Sequence, residues 1–239
     1  MRLYFNGCSI TRGDDLKDPS QQSWPSLISN KLDCEFLNDS ISGGTNDRIM
    51  YRTIKHIDQF DKFYIAWTHT ARFTRYRSDN NHDVNFNPML THALYSKTPE
   101  FKDYAHLHYK FWHNELYAFK LWLQDIILLQ RLLESFCKSY VMLNSVDNLI
   151  NQWTTPWQNS NNSVQSLLCF DLMSDQQLND EHSEIQNLID KIDFSKFIGW
   201  NTWHITKLTN QYPIGATGHL LEQGHEQVAE YILKNDTSS

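Results

Sequence analysis

This sequence of 239 residues lacks cysteine pairs, long apolar runs and an excess of basic charge. Its four cysteines are scattered without a CxxC pair, which excludes a disulfide framework and a zinc ribbon. No run of about 18 uncharged apolar residues is present, and the apolar run near the first residue is too short for a signal peptide. We therefore predict a cytoplasmic protein with no membrane span. The formal net charge of −7 argues against binding to nucleic acid or to anionic membranes.

The composition is that of a folded globular protein. Hydrophobic residues make up 40% of the chain and charged residues 21%, which is enough apolar content for a sizeable core. Neither an internal repeat nor a clear linker interrupts the sequence. We therefore predict a single domain over residues 1–239.

Short β-prone segments alternate with segments of helical periodicity. The predicted strands are Arg2–Phe5, Cys34–Asn38, Lys62–Trp67, Ser139–Asn144 and Phe197–Ile198. The predicted helices are Trp24–Leu32, one capped by Thr45, Tyr104–Cys137, Glu184–Ile192 and Glu222–Leu233. Residues 70–100 are polar and are predicted to form a long excursion. The alternation predicts an α/β fold whose parallel sheet is covered by helices on both faces.

Groups that can perform chemistry follow the predicted strands. Because ligands bind at the carboxyl ends of parallel strands, we expect these groups to meet at one edge of the sheet. The segments concerned are Gly7-Cys8-Ser9, Gly43-Gly44-Thr45, Thr68-His69-Thr70 and, before the last helix, Gly218-His219. A hydroxyl, an imidazole and backbone amides freed by glycine are the groups that acyl transfer needs.

These segments resemble the sequence blocks of the SGNH (GDSL-type) hydrolases, and they occur in the order of that family. The resemblance implies an SGNH-hydrolase-like (flavodoxin-like) three-layer α/β/α fold with a central parallel sheet of about five strands. It implies Ser9 as the nucleophile and His219, rather than His225, as the base. By spacing, it also implies Gly43 as a backbone donor to the oxyanion hole, with Gly44 directly behind it.

The third block of the family is altered in this sequence. Where the family has an Asn whose side chain donates to the oxyanion, this chain has Trp67-Thr68-His69-Thr70, so His69 stands at the Asn position. His69 can donate to an oxyanion only if its exposed ring nitrogen carries the proton. We therefore keep His69 as a candidate oxyanion donor under that condition.

The acid that precedes the catalytic His in the family is missing as well. Thr217 and Ala216 stand at its two usual positions, and neither can be an anionic partner. A backbone carbonyl can set the imidazole tautomer without a charge, so a dyad of nucleophile and base remains chemically possible. Asp14, Asp15 and Asp171 are candidate substitutes, and the sequence does not choose among them.

Several of these residues also have ordinary structural interpretations. Ser9 can cap a turn, and His69 can be a plain loop residue. Gly43 and Gly44 can serve only a tight turn. Cys8 is intrinsically a stronger nucleophile than Ser9, but adjacent residues at a strand end point in opposite directions, which favours a buried Cys8.

The sequence predicts no metal site and no cofactor. His106, His108 and His113 are spaced by two and five residues, which does not place them on one helix face, and no cysteine joins them. A glycine-rich phosphate loop is also missing, so a nucleotide-binding flavodoxin-like protein is the least favoured alternative.

Two functions from different classes remain. The first is a serine esterase that hydrolyses an acyl ester of a small molecule or glycan, for example a carbohydrate O-acetyl ester. The second is a catalytically weak or inactive module of the same fold that binds or assembles with a protein partner. The missing acid and the altered third block favour the second function. A separation of Ser9 and His219 beyond hydrogen-bond reach would favour it too.

Overall fold

Five parallel strands form the central sheet of the protein in a computed structural model, which describes residues 1–76, 83–86, 99–148, 150–151 and 175–237. The strands of this sheet are β1 (Arg2–Asn6), β2 (Glu35–Asn38), β3 (Lys62–Trp67), β6 (Ser139–Asn144) and β7 (Phe197–Ile198). A separate antiparallel pair consists of β4 (Phe73–Tyr76) and β5 (Asp83–Phe86). The order across the parallel sheet is β2-β1-β3-β6-β7. The predicted parallel sheet of about five strands is confirmed.

Helices connect the strands of this sheet. They are α1 (Ser9–Arg12), α2 (Pro19–Gln22), α3 (Trp24–Leu32), α4 (Asn46–Lys55), α5 (Pro99–Leu107), α6 (Glu115–Ser135), α7 (Asp175–Ile189) and α8 (Glu222–Asn235). A π-helical turn covers His108–Trp112, and 3₁₀ turns cover Phe194–Lys196 and Ile205–Asn210. None of the helices in the described ranges combines the length and the apolar composition that a membrane span requires.

The helices cover both faces of the sheet because successive strand residues point to opposite sides. Tyr4 and Ile65 pack on one face with buried residues of α4, α6 and α7. Leu3, Phe5 and Tyr64 pack on the other face with buried residues of α3 and α8. The sheet is therefore the middle of three layers, as predicted.

The single helix predicted over Tyr104–Cys137 is wrong, because the structure divides this segment in two. Helix α5 ends at Leu107, the π-helical turn follows, and α6 begins at Glu115. Asn114 explains the break: its side chain accepts a hydrogen bond from the Tyr117 N–H at 2.9 Å and caps the start of α6.

The polar excursion predicted over residues 70–100 contains regular structure at both ends. Strands β4 and β5 pair, and the rings of Phe73 and Phe86 stack with their centroids 4.8 Å apart. Helix α5 begins at the end of the segment. Residues 77–82 and 87–98 lie outside the described part of the chain.

Four predicted elements have the predicted ends, namely Trp24–Leu32, Lys62–Trp67, Ser139–Asn144 and Phe197–Ile198. Others are present with shifted ends. The strand predicted from Cys34 begins at Glu35. The helix predicted over Glu184–Ile192 spans Asp175–Ile189, and the last helix continues to Asn235. Such shifts arise because the polar terminal turns of a helix carry little of the apolar pattern on which the prediction depends.

Candidate active site

The structure brings Ser9 and His219 together. Ser9 is the first residue of α1, directly after the turn that follows β1, and His219 lies shortly before α8. The Ser9 Oγ and the His219 Nε2 are 2.7 Å apart, which is a hydrogen bond between residues 210 positions apart in the chain. The Ser9 side chain is buried, with 7% of the residue exposed. A hydroxyl in contact with an imidazole is the arrangement of a nucleophile and its base.

Thr217 and Asp15 extend this contact into a longer chain of hydrogen bonds. The Nδ1 of His219 is 2.8 Å from Thr217 Oγ1 and 3.5 Å from Asp15 Oδ2. The Thr217 hydroxyl donates to Asp15 Oδ2 at 2.8 Å. The backbone N–H groups of Thr217 and His219 donate to the same oxygen at 2.9 and 3.2 Å. Asp15 is therefore a carboxylate that reaches the imidazole, whereas Asp171 lies outside the described residues.

The donors and acceptors of this chain admit one arrangement of protons when Asp15 is ionised. Burial raises the pKa of Asp15, but the hydrogen bonds from Thr217 and His219 outweigh burial and hold this pKa below its ordinary value. Because an ionised carboxylate only accepts, the Thr217 hydroxyl donates to Asp15, and its oxygen accepts from the His219 Nδ1–H. The Nε2 of the neutral ring then accepts from the Ser9 hydroxyl. This is the tautomer that a general base for Ser9 needs.

The backbone around Asp15 brings its carboxylate to His219. Asp15 has a φ of +72°, a left-handed conformation that Asp tolerates better than most residues other than glycine. Gly215 makes room for it, because a Cβ on Gly215 would lie 2.3 Å from the Asp15 Cβ. The Gly215 N–H also donates to the His219 carbonyl at 2.8 Å. A residue in a sparsely populated conformation, packed against a required glycine, is typical of a functional site.

Gly43 and Gly44 lie beside the turn after β1. A Cβ on Gly44 would be 2.7 Å from the Gly7 carbonyl oxygen and 3.3 Å from the Cys8 Cα, so only glycine allows this close approach. The Gly44 N–H donates to the Ile41 carbonyl at 3.0 Å. No described residue accepts a hydrogen bond from the Gly43 N–H. The Gly43 N–H is therefore available to a ligand. Gly43 is also the glycine that the family spacing predicts as the oxyanion donor.

One ring nitrogen of His69 is already occupied, and this contact determines its tautomer. The Ala71 N–H donates to His69 Nδ1 at 3.1 Å, so the proton of the neutral ring is on Nε2. Burial, followed by the charges of Arg72 and His113, lowers the pKa of His69 below its ordinary value and favours the neutral form. The His69 Nε2–H is therefore a donor, which is the condition that the sequence analysis set for an oxyanion role.

Asn46 joins the His69 loop to the start of α4, a role that the sequence analysis missed. Its Nδ2 donates to the Thr68 carbonyl at 3.0 Å, and its Oδ1 accepts from the Thr68 N–H at 2.9 Å. The Arg72 guanidinium donates to Thr68 Oγ1 at 2.8 Å and to the Gly44 carbonyl at 3.4 Å. The loops after β2 and β3 are thus held together. The sequence feature that could have indicated this role of Asn46 is its position directly after Thr45, the residue that caps α4.

Cys8 and Asp14 have other partners. The Cys8 side chain is fully buried in the core, as predicted. Asp14 lies 3.7 Å from the Arg12 guanidinium and accepts a hydrogen bond from the Ser42 hydroxyl. Among the described residues, no hydrogen bond or ion pair joins either residue to His219.

His106, His108 and His113 are the histidines that the sequence analysis weighed as metal ligands. In the ranges that the structure describes, no three His, Cys, Asp or Glu side chains are arranged to hold a metal ion. The ring centroids of His108 and His113 are 6.0 Å apart. His106 is exposed on α5.

His225 has a structural position inside the protein. It is fully buried, and its Nδ1 accepts a hydrogen bond from the Trp24 N–H at 3.1 Å, which connects α8 to α3. Burial, followed by the nearby His219, lowers the pKa of His225 from 6.5 to about 4. This contact agrees with the choice of His219 over His225 as the candidate base.

We expect the buried His225 to make the fold sensitive to acid. Below pH 6.5 the imidazole is protonated in the unfolded chain, whereas in the folded protein it stays neutral until about pH 4. The unfolded state then binds more protons, so the free energy of unfolding falls as the pH drops through this window. The free energy of unfolding falls by about 3 kcal/mol across this window, which corresponds to a decrease of roughly 10 °C in Tm. Thermal melts followed by circular dichroism at several pH values measure it.

His225→Gln is the variant that isolates this effect, because a glutamine side chain still offers an acceptor for the Trp24 N–H. Its Tm should fall less than that of the wild type as the pH is lowered. His106→Gln, which removes an exposed histidine, serves as the matched control and should follow the wild type. Identical pH dependence of wild type and His225→Gln would contradict the prediction.

The fold of the chain is an SGNH-hydrolase-like α/β fold. The structure of the psychrotrophic esterase EstA from Pseudoalteromonas sp. is similar over 98% of this chain and 95% of that chain, with a TM-score of 0.51 and 9% identity. The crystal structure of TesA is similar over 98% of this chain and 97% of that chain, with a TM-score of 0.50 and 11% identity. At these identities the likeness shows the fold, which is that of the SGNH hydrolases.

Residues 13–204 match a family of unknown function (DUF6071), and the chain belongs to that family. The matched range begins after Ser9 and ends before His219, so it leaves out both members of the candidate pair. No curated protein matches the sequence.

Proposed function

We propose that the protein is a serine esterase that hydrolyses acyl esters, with Ser9 as nucleophile and His219 as general base and then general acid. The observation that carries this proposal is the chain of hydrogen bonds from Ser9 through His219 and Thr217 to Asp15. It supplies a hydroxyl in contact with a base, and a base whose second nitrogen is oriented by a third group. This is the arrangement of nucleophile, base and orienting group in a serine triad.

The reaction begins when the Ser9 Oγ attacks the acyl carbonyl carbon and the Ser9 proton moves to His219 Nε2. The tetrahedral intermediate collapses as the bond between the carbonyl carbon and the alcohol oxygen breaks. His219 returns its proton to the leaving alcohol. A water molecule, activated by His219, then attacks the acyl-Ser9 ester, which releases the carboxylic acid and restores the Ser9 hydroxyl.

The negative charge that develops on the carbonyl oxygen needs hydrogen-bond donors. We assign this role to the backbone N–H groups of Ser9 and Gly43 and to the His69 Nε2–H. The Ser9 N–H is available because the first amides of a helix have no partner within the helix. Donors of this kind each contribute about 10²- to 10³-fold to kcat in serine hydrolysis.

Asp15 and Thr217 replace the acid that the family resemblance expects just before the base. Thr217 stands at one position of that missing acid, and its hydroxyl connects His219 to a carboxylate from the loop after α1. The ionised Asp15 stabilises the imidazolium that forms when Ser9 loses its proton, and it acts through Thr217 as a positioning residue. The missing acid before His219 was the main argument for an inactive binding module. Because Asp15 supplies a carboxylate in its place, that argument is weaker.

The experiment that tests the function is hydrolysis of p-nitrophenyl acetate and butyrate by the purified protein. We expect turnover of both esters and progressive inactivation by a fluorophosphonate, whose tetrahedral adduct resembles the intermediate. The EstA structure is one inhibited by monoethylphosphonate, which supports the choice of reagent. No turnover together with no reaction with the fluorophosphonate would favour the non-catalytic binding or assembly module.

A further inference from the structure

Gly43, whose N–H is assigned to the oxyanion hole, lies in a tight turn. The Gly44 N–H donates to the Ile41 carbonyl at 3.0 Å and closes this turn. Gly43, the third residue of the turn, has a φ of +69°, whereas the φ of Ser42, the second residue, is not positive. A closed turn with a positive φ at its third residue alone is a type II turn. The Gly43 N–H therefore belongs to a turn of type II.

The type of this turn decides the direction of the Gly43 N–H. Types I and II differ in ψ of the second residue and φ of the third, each by about 150° or more. These two torsions lie on either side of the peptide between Ser42 and Gly43, so a change of turn type rotates that peptide by about half a turn. The N–H can thus serve the oxyanion hole in only one of the two turns. Because glycine adopts both signs of φ, Gly43 by itself permits either turn.

Two charged side chains hold Ser42 in place. The Arg12 Nη1 donates to the Ser42 Oγ at 2.7 Å. The Ser42 hydroxyl in turn donates to one oxygen of the Asp14 carboxylate. The other oxygen of Asp14 lies 3.7 Å from the Arg12 Nε. We call these three residues the clamp. Because they contact one another in a closed ring, the Ser42 side chain cannot rotate without breaking at least one hydrogen bond.

The clamp is connected to the nucleophile through the backbone of α1. Ser9 is the first residue of α1 and Arg12 is the last. The N–H groups of Gly13 and Asp14 both donate to the Ser9 carbonyl, at 2.9 and 3.1 Å. The clamp therefore joins the turn that carries the Gly43 N–H to the helix that carries the nucleophile.

We propose that Arg12 and Asp14 are positioning residues of the esterase. Through the Ser42 hydroxyl they hold the turn in its type II form and so direct the Gly43 N–H toward the oxyanion. This inference rests on the proposed function, because it names the residues that position one donor of the same site. The Arg12 side chain is 56% exposed, and an exposed ion pair contributes little to stability. The clamp therefore selects the direction of an amide and adds little to the stability of the fold.

Kinetics of Ser42→Ala with p-nitrophenyl acetate test the clamp. We expect kcat to fall about tenfold with KM unchanged, because an oxyanion donor acts on the transition state and not on the bound ester. Ser42→Thr retains the hydroxyl and should recover most of kcat, whereas Asp14→Ala should lose as much as Ser42→Ala. The matched control is Ser195→Ala, which removes an exposed hydroxyl that likewise donates to an aspartate, Asp193. It should retain wild-type kcat.

A double-mutant cycle shows whether Ser42 acts through Gly43. Gly43→Ala should lower kcat about 10²-fold, because a Cβ disfavours the positive φ that the type II turn requires. That Cβ would meet no atom of the described chain within 4 Å, so a clash inside the protein is not the cause. Gly43→Asn is bulkier but tolerates a positive φ, so it should lose less than Gly43→Ala. In the Gly43→Ala background, Ser42→Ala should cause no further loss.

Three results would overturn this inference while the esterase function stands. The first is wild-type kcat in Ser42→Ala. The second is a double variant in which the losses of Ser42→Ala and Gly43→Ala multiply, since Ser42 would then act elsewhere. The third is a larger loss in Gly43→Asn than in Gly43→Ala, which would mean that a side chain at this position obstructs the ester.

NMR of the Gly43 amide needs no turnover and so separates this inference from the proposed function. The ¹⁵N order parameter of Gly43 should be about 0.85 in the wild type and fall below about 0.6 in Ser42→Ala. Ser195→Ala should match the wild type. This pattern in a protein that hydrolyses no ester would support the clamp and contradict only the esterase. The same order parameter and chemical shift in the wild type and Ser42→Ala would overturn the clamp.

Discussion

Ser9→Ala and His219→Gln are each expected to lower kcat for p-nitrophenyl acetate by about 10⁴- to 10⁶-fold. Both variants remove a member of the same proton transfer, since the Ser9 hydroxyl is activated only through the 2.7 Å contact with His219 Nε2. The double variant should therefore lose no more activity than either single variant. Steady-state kinetics of the three variants provides the test.

A matched control for this pair is Ser20→Ala, which removes an exposed hydroxyl on α2 that bonds to Asp18. This variant should retain wild-type kcat. The Tm of Ser9→Ala should stay close to that of the wild type, because the change removes one hydroxyl and leaves the packing of α1 in place. If the losses of the two single variants multiplied in the double variant, the residues would act independently and the proposed pair would be wrong.

Asp15→Asn is expected to lower kcat by about 10³-fold with little change in KM. Asparagine tolerates the left-handed backbone of this position, and its amide oxygen can still accept the Thr217 and His219 N–H groups. The variant therefore removes the charge and keeps the loop. Without that charge the imidazolium that forms in the transition state is less stable, so kcat falls while substrate binding is retained. A purely structural Asp15 would lower the Tm and leave kcat of the folded variant at the wild-type value.

The part played by Thr217 can be separated from that of Asp15. Thr217→Val removes the hydroxyl that links Asp15 to His219 and should lower kcat by about 10²-fold. Thr217→Ser retains the hydroxyl and should recover most of the activity. Wild-type kcat in Thr217→Val would show that Asp15 acts on His219 directly across 3.5 Å or not at all.

Much of the fold could be predicted because its signal is local. The run Phe63–Trp67 is aromatic and apolar throughout, as expected of a strand buried on both faces, and together with Lys62 it forms β3. The break between α5 and α6 also had a local signal, the capping Asn114, but continuous apolar periodicity on both sides outweighed it. The β4–β5 pair was missed because few apolar residues mark it.

The candidate site was predictable only in part. Ser9 and His219 were named from the order of the strand-end segments and lie in contact. The choice of Asp15 among the acidic residues depends on its left-handed backbone and on the space left by Gly215, which is about two hundred residues away. No local pattern reports such a contact. Thr217 was set aside because it carries no charge, although its hydroxyl connects the charge to the base.

The mass of the protein after reaction with a fluorophosphonate, mapped by digestion, is the most direct test of the proposed nucleophile. We expect a single adduct, on the Ser9 side chain, which forms readily in the wild type, far more slowly in His219→Gln and not in Ser9→Ala. An adduct on a different residue, or ester hydrolysis by a protein whose Ser9 stays unmodified, would contradict the account.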